Sequence, residues 1–272
     1  MRYKRCPRAF YWREQRRRPE KSTPSTLENQ QMFQAEHNAG SLIGKLVHQV
    51  IQEQIQTWVE DGNPTLQGAQ ARATTLLSAY YTDHGPPDHG ESESSQHSVR
   101  QTIKSHLKQF FTSFWPQLNT HHYISHEETH DFSVAGETVI VRPDFVTRDP
   151  SGEFVVTDWK TNPPAIVDPD VFQLHVYGLW AYEEYEPDLD RIQLQFASTS
   201  TGGFTREQIT HSQLDTLRSQ IHRECSTWNQ ASSRSDFEPD PAPDKCRRCS
   251  YLDVCDPGRE IIPGTPTDQD GE

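Results

Sequence analysis

Residues 142–160 have the sequence RPDFVTRDPSGEFVVTDWK, in which two strand-like runs are associated with acidic residues. We predict that Asp144 ends one strand and that Asp158 and Lys160 end the next. Alternate side chains of a strand share a face, so Asp158 and Lys160 should point the same way and Trp159 into the opposite layer. Antiparallel pairing of the two strands would bring Asp144 beside them.

Two carboxylates and a lysine at one place suit the hydrolysis of a phosphodiester. Carboxylate oxygens are ligands that Mg²⁺ and Mn²⁺ prefer, and the main-chain carbonyl of Trp159 is a natural further ligand. A bound cation polarises the phosphate and lowers the pKa of water, and Lys160 can orient or deprotonate that water and offset developing charge. The alternative for Asp144, Asp158 and Lys160 is an ordinary solvated salt-bridge face.

Before this stretch, apolar residues recur mainly at the three- and four-residue spacing of helices. After it, helical and strand-like spacings both occur. Ser41 is a plausible N-cap, and Pro116 is expected to end a helix. The predicted helices are 41–59, 66–81, 99–115, 170–184 and 211–228, and the predicted strands are Tyr123–Val134, Thr138–Thr147, Phe154–Trp159 and Arg191–Ala197.

The composition is acidic, with 26 basic residues against 39 acidic ones and a net charge of -13. Phosphate contacts dominate the affinity of nucleic-acid enzymes, so this balance counts against such a function. Clustered basic residues such as Arg13, Arg16, Arg17 and Arg18 can still form a local positive patch, and acidic surfaces also suit proteins that live in high salt. No apolar run is long enough to span a bilayer, so no membrane association is expected and the cytoplasm is the simplest location.

The order Pro143-Asp144, a short gap, then Asp158-Trp159-Lys160 resembles the motif of the PD-(D/E)XK nuclease superfamily. The resemblance implies an α/β fold: a restriction-endonuclease-like mixed sheet flanked by helices, with a helical N-terminal region and a C-terminal cysteine-cluster lobe. It also implies DNA cleavage dependent on Mg²⁺ or Mn²⁺.

His48 lies in the sequence Gly44-Lys45-Leu46-Val47-His48 at the edge of an apolar helical stripe. A histidine in this position is commonly a satisfied core residue. The sequence is similar to the Gly-x-x-x-His element of RecB-like nucleases, which implies that His48 binds metal. A Glu often precedes the first Asp in that family, and Glu127 and Glu128 are both available for this place.

Gln173 and Tyr177 are four residues apart and therefore share one face of a predicted helix. They resemble the Q-x-x-x-Y motif of the RecB family, which implies that they position the DNA strand near the site. Alone, the pair would be explained by an ordinary amphipathic helix.

Cys246, Cys249 and Cys255 form a C-x2-C-x5-C array, and Cys6 is the plausible fourth ligand of a metal centre. Cys225 falls in the apolar register of its helix and is interpreted as core. One Cys near the start and three near the end resembles AddB-type iron–sulfur nucleases and CRISPR-associated exonucleases, which implies a [4Fe–4S] cluster. The alternatives are a zinc site, which the resemblance favours less and which spacing alone leaves open, or three thiols that bind no metal.

We expect one domain over residues 1–256 and a disordered tail over 257–272. The domain should contain a helical region (41–120), a catalytic core (121–230) and an iron–sulfur lobe (1–20 with 237–256). Aromatic and arginine side chains of residues 2–18 either contact single-stranded DNA or, for Phe10, Tyr11 and Trp12, pack around the cluster.

The predicted function is metal-dependent cleavage of DNA, as an exonuclease on single strands, in repair, recombination or CRISPR processing. A helicase or a CRISPR protein is a possible partner. The alternative is a non-catalytic, nuclease-like subunit that binds DNA or a helicase. RNA as substrate and endonuclease action also stay open.

Overall fold

The computed structural model describes residues 6–17, 39–85, 93–162, 168–186, 188–231, 233–247, 249 and 251–262. The chain divides into two compact units. The sheet unit is residues 39–222, and the split unit combines residues 1–38 with 223–272.

The described strands all lie in the sheet unit. They are β1 (His122–Ser125), β2 (His130–Val134), β3 (Glu137–Val141), β4 (Phe145–Arg148), β5 (Phe154–Lys160), β6 (Ile192–Ser198) and β7 (Gly203–Glu207). Five of them form one sheet in the order β1-β4-β5-β6-β7, and β2 pairs with β3 separately. Only the β5–β6 pair of the large sheet is parallel. The prediction of a mixed sheet flanked by helices is therefore confirmed.

Two of the predicted strands are wrong as single strands. The predicted strand Tyr123–Val134 is divided between β1 and β2, and the predicted strand Thr138–Thr147 is divided between β3 and β4. The first break contains Glu127, whose backbone is left-handed with φ 49°. The second contains Pro143, which has no N–H to donate to a sheet. Each break moves the chain from one sheet to the other.

The helices of the sheet unit extend the predicted ones. They are α2 (Ala39–Val59), α3 (Leu66–His84), α4 (Glu93–Gln109), α5 (Trp115–Leu118), α6 (Asp168–Glu184) and the first part of α7 (His211–Gln230), whose residues 223–230 belong to the split unit, as does α1 (Pro7–Arg17). A π-helical turn, Phe110–Phe114, joins α4 to α5. Pro116 does not end the helix there, because proline fits the first turn of α5, where no N–H is required.

The sheet is covered by apolar helices on the face to which Trp159 points. Trp159 is 2% exposed, and its ring lies 5.5 Å from Phe110, 6.0 Å from Phe114 and 6.2 Å from Phe145. Truncating so large a buried side chain to alanine typically costs about 3–5 kcal/mol. Trp159 therefore points into this apolar layer, away from the contact between Asp158 and Lys160.

Helix α6 links the parallel strands β5 and β6 and packs on β6. A Cβ atom at Gly178 would lie 2.8 Å from a methyl carbon of Leu194, so a larger residue would push α6 off the sheet. Because glycine has no Cβ atom, Gly178 allows this close approach of α6 to β6.

The split unit contains α1, the end of α7, and the short helices α8 (Pro243–Cys246) and α9 (Asp256–Glu260). Helix α9 forms within the stretch 257–272 that was predicted to be disordered, and residues 263–272 lie outside the described residues. In the described part of the chain, no helix has both the length and the apolar character needed to cross a bilayer.

Candidate active site

Asp144 lies immediately before β4, not at the end of a strand as predicted. Pro143 interrupts the chain after β3, and the antiparallel register then pairs Phe145 with Thr157. This register brings Asp144 beside β5, where its Oδ2 accepts a 2.7 Å hydrogen bond from the backbone N–H of Trp159. Asp144 is only 9% exposed.

Asp158 and Lys160 lie on the same face of β5, as predicted. The Lys160 Nζ is 2.7 Å from Asp158 Oδ2 and 5.3 Å from the centre of the Phe196 ring. The Asp158 side chain is 5% exposed and that of Lys160 is 22% exposed. The lysine therefore reaches solvent while its aliphatic stem is partly buried.

His48 projects from α2 toward the same place. Its Nδ1 lies 3.6 Å from Asp144 Oδ2 and 4.0 Å from Glu127 Oε1. Burial lowers the pKa of His48, although the charges of Asp158 and Glu127 act to raise it. A neutral imidazole keeps a lone pair for a cation.

Glu127, and not Glu128, belongs to this group. The Glu127 side chain is 12% exposed, whereas that of Glu128 is 64% exposed and lies 3.9 Å from His130. The sequence pattern could not separate the two, because a bend rather than a regular strand carries both.

The geometry of this group suits a bound cation. Ligand atoms of His48, Glu127 and Asp144 all lie within 4.8 Å of one another. Burial raises the pKa of Asp144 well above its ordinary value, and the nearby carboxylates of Asp158 and Glu127 raise it further. A desolvated carboxylate among other acids requires either a proton or a cation, so the residues present fit a divalent metal.

Gln173 and Tyr177 form a hydrogen-bonded chain to the turn that carries Asp144. Gln173 Nε2 donates to the Tyr177 hydroxyl at 2.6 Å, and that hydroxyl donates to the Arg142 carbonyl at 3.0 Å. Burial, followed by the charges of Asp158 and Asp144, raises the pKa of Tyr177, so the phenol stays protonated and can donate. In this structure the pair supports the turn, and its predicted role in positioning DNA stays a prediction.

Sequence reasoning missed a second support, which lies behind Lys160. The Thr199 N–H and hydroxyl both donate to the Lys160 carbonyl, at 2.8 and 3.1 Å. The buried His106 Nδ1 lies 3.0 Å from the same hydroxyl. No sequence motif indicates this contact, because His106 and Thr199 are 93 positions apart.

The four cysteines of the predicted cluster lie near one another in the split unit. Burial raises the pKa values of the Cys249 and Cys255 thiols, and Cys6 and Cys246 act in the same direction on both. A Cβ atom placed on Gly258 would lie 3.4 Å from Cys255 Sγ and 3.6 Å from Cys246 Sγ. Cys6 therefore lies near the C-x2-C-x5-C array, and its role as the fourth ligand stays a prediction.

Cys225 is not one of these four residues. It lies on α7 and is half-buried rather than fully in the core.

The aromatic residues of α1 pack inside the split unit. Phe10 stacks edge-on with Trp228 at 4.6 Å, and the rings of Tyr11 and Phe237 are 5.2 Å apart. Trp12 is 7% exposed. This packing favours the structural alternative for these three α1 residues, and the side chains of residues 14–18 lie outside the described ones.

Comparison with known proteins gives one family assignment. The family model described as "PD-(D/E)XK nuclease superfamily" matches residues 1–256. The solved structure titled "Crystal structure of SSO0001" is 14% identical, with 66% of this chain and 80% of that chain covered, at a TM-score of 0.33. Curated proteins yield no match.

Proposed function

Because the chain belongs to the PD-(D/E)XK nuclease superfamily, we propose that it is a Mg²⁺- or Mn²⁺-dependent deoxyribonuclease that digests single-stranded DNA from its ends. The observation that carries the proposal is the convergence of Asp144 with Asp158 and Lys160 at the end of β5. We place this activity in DNA repair, recombination or CRISPR processing, with a helicase or CRISPR protein as partner.

His48, Glu127, Asp144 and Asp158, with the Trp159 carbonyl, would hold the divalent cation. The imidazole and carboxylates are already close together, and burial of Asp144 makes an added positive charge favourable. When bound, the cation supplies neutralisation of phosphate charge and activation of water.

Lys160 acts on the reacting phosphate through its ammonium group. Its Nζ is held by Asp158 yet remains partly exposed, so it can donate to a phosphate oxygen or to the attacking water. The ammonium offsets the negative charge that develops at phosphorus, in a setting where water competes poorly. Asp158 fixes the position from which it does so.

The assay uses linear and circular single-stranded DNA with Mn²⁺ or Mg²⁺, on wild type and on Lys160→Ala. Lys108→Ala is the matched control, because Lys108 is exposed on α4. We expect wild type and the control to degrade linear DNA, and Lys160→Ala to lose at least about a hundredfold in rate, in the range of a lost electrostatic donor.

The outcomes separate the alternatives. Equal activity of Lys160→Ala would remove that lysine from the mechanism, and cutting of circles would replace the exonuclease assignment by endonuclease action. Wild type that binds DNA and cuts neither form would favour the non-catalytic subunit. A parallel RNA strand tests RNA as substrate.

The four cysteines Cys6, Cys246, Cys249 and Cys255 are proposed to hold a [4Fe–4S] cluster. What supports the proposal is the proximity of the four thiols in the split unit, together with the resemblance of their split spacing to that of iron–sulfur nucleases. A zinc site, which also takes four cysteine ligands, is the alternative.

Protein purified without oxygen should be brown and absorb at about 400 nm, with iron and sulfide in equal amounts. Cys249→Ser should lose this colour, whereas the matched control Cys225→Ser should keep it. Colourless wild-type protein that contains zinc would contradict the cluster.

A further inference from the structure

Arg142 is a basic side chain at the edge of the candidate cation site that the mechanism above does not use. Its Nη2 lies 2.8 Å from Glu127 Oε2, and its Nε donates to the Glu127 carbonyl at 3.1 Å. The Arg142 side chain is nevertheless 56% exposed. The guanidinium thus contacts both the site and the solvent.

The backbone of Arg142 is held firmly while its side chain is not buried. The Tyr177 hydroxyl donates to the Arg142 carbonyl, and the Glu127 N–H donates to the Pro143 carbonyl at 3.0 Å. These bonds fix the Cα position of Arg142 beside Asp144. Movement of the guanidinium therefore requires side-chain rotation only.

Glu127 is shared between the arginine and the cation site. Its Oε2 faces Arg142, while its Oε1 faces His48 at 4.0 Å. A cation bound by His48, Glu127 and Asp144 would place positive charge next to the guanidinium. The two positive groups would then compete for one carboxylate.

A released guanidinium would face a substrate rich in phosphate. The chain carries a net charge of -13, so local positive groups are needed to attract a nucleic-acid backbone. An arginine can bind a phosphate group with two parallel hydrogen bonds. Arg142 contacts Glu127 and Lys160 contacts Asp158, so two partly exposed basic side chains border the carboxylates of the site and are suited to this task.

We propose that Arg142 is a phosphate-binding residue that is held by Glu127 before the cation binds and is released to the DNA backbone afterwards. This inference rests on the proposed function. Under this proposal the binding of the cation and the binding of DNA favour each other. The cation displaces Arg142 from Glu127, and DNA engages the guanidinium that would otherwise compete with the cation for Glu127. Removal of Arg142 should therefore strengthen the binding of the cation and weaken the binding of DNA.

Two titrations test this. Calorimetry measures Mn²⁺ binding without DNA, in wild type, Arg142→Ala and the milder Arg142→Gln. Fluorescence anisotropy measures a labelled single-stranded oligonucleotide at saturating Mn²⁺, with Arg142 variants made in the uncut Lys160→Ala background. Arg72→Ala is the matched control, since Arg72 Nε pairs with Glu53 at 2.7 Å and the charge change is the same.

We expect both Arg142 variants to bind Mn²⁺ about three- to tenfold more tightly, because a nearby like charge is lost. The same variants should bind DNA about tenfold more weakly, the cost of a charge-assisted contact. The control should change neither value by more than about twofold, the range of an exposed ion pair.

Circular dichroism and melting curves identify any variant that fails to fold, and Arg142→Gln preserves most of the packing if Arg142→Ala does not. Mn²⁺ binding that is unchanged or weaker in folded Arg142 variants, or DNA binding that is unchanged, would overturn the proposal. Wild type that binds no Mn²⁺ would overturn the metal site itself, which is a distinguishable failure of the proposed function.

Discussion

Asp144→Asn should make the metal-free protein more stable while removing a ligand of the proposed cation site. In the folded chain the Asp144 carboxyl is buried beside Asp158 and Glu127, and its pKa is raised. The asparagine oxygen can still accept the 2.7 Å hydrogen bond from the Trp159 N–H, so the substitution removes the charge and keeps the contact.

The pH dependence of the stability difference between wild type and Asp144→Asn follows from the different pKa values of Asp144 in the folded and unfolded states. Below the unfolded pKa of about 3.9, Asp144 is protonated in both states and the stability difference from the variant is small. As pH rises through the raised folded pKa, wild type must ionise a buried carboxyl and loses stability that the asparagine variant keeps. The advantage of the variant therefore grows toward neutral pH.

The size of the effect comes from the surroundings of this carboxyl. Burial and two acidic neighbours oppose ionisation, while the Trp159 N–H and Lys160 partly offset them. We take a net effect of about 2 kcal/mol at neutral pH, within the range for charges buried without a full partner. For a unit of this size each kcal/mol shifts Tm by about 2–4 °C, so Tm should rise by roughly 4–8 °C.

Melting curves with chelator and with Mn²⁺ provide the assay. At a hundredfold excess over Kd, Mn²⁺ should stabilise wild type by about 2.7 kcal/mol and the variant far less, so the difference should close or reverse. Asp149→Asn is the control for simple relief of net negative charge. The slight burial of Asp149 acts to raise the pKa of its carboxyl, but hydrogen bonds from Ser151 and Glu153 lower that pKa overall. The Asp149→Asn variant should therefore not gain stability.

A lower Tm for metal-free Asp144→Asn would refute the reasoning. So would an equal rise in Asp149→Asn, because the effect would then come from overall charge and not from burial.

Further substitutions test the two supports of the site and the cysteine array. Thr199→Val removes one of the two hydrogen bonds to the Lys160 carbonyl and should lower kcat about tenfold with Mn²⁺ affinity unchanged. Thr199→Ser should retain most of the rate. Single-turnover kinetics measures the rate, and calorimetry measures the Mn²⁺ affinity. Tyr177→Phe leaves the Arg142 carbonyl without its donor and should cost about 1–2 kcal/mol, measured by urea unfolding, and an unchanged midpoint would contradict the bond. Cys249→Ser should lower the Tm of protein prepared without oxygen by several degrees while chelator-treated wild type falls to the same value.

Sequence reasoning predicted the parts of the fold that depend on local patterns. The apolar and β-branched run that begins at Phe154 indicated β5, and the two-residue period of a strand gave the opposite directions of Asp158 and Trp159. Residues Phe154–Trp159 are buried on both faces. Helix α2 followed from three- and four-residue spacing in the same way.

The parts that failed depend on contacts between distant segments. β2 and β3 were joined to the wrong neighbours, because apolar alternation is the same whether a strand enters one sheet or the other. The choice of Glu127 over Glu128 required knowing where α2 places His48. The sequence analysis also did not predict β7, which follows the turn after β6. It did not predict the contact of Thr199, in that turn, with His106 of α4, because no local pattern relates these two segments.

The split unit imposes an order on synthesis. Arg8 Nε donates to the Phe237 carbonyl at 2.7 Å, across 229 positions of the chain. A ribosome that has made α1 must add nearly the whole remaining polypeptide before this partner exists, whereas the continuous segment 39–222 can fold earlier. A nascent chain arrested before Cys246 would thus carry the proposed catalytic residues but would lack three of the four cysteines proposed to hold a cluster.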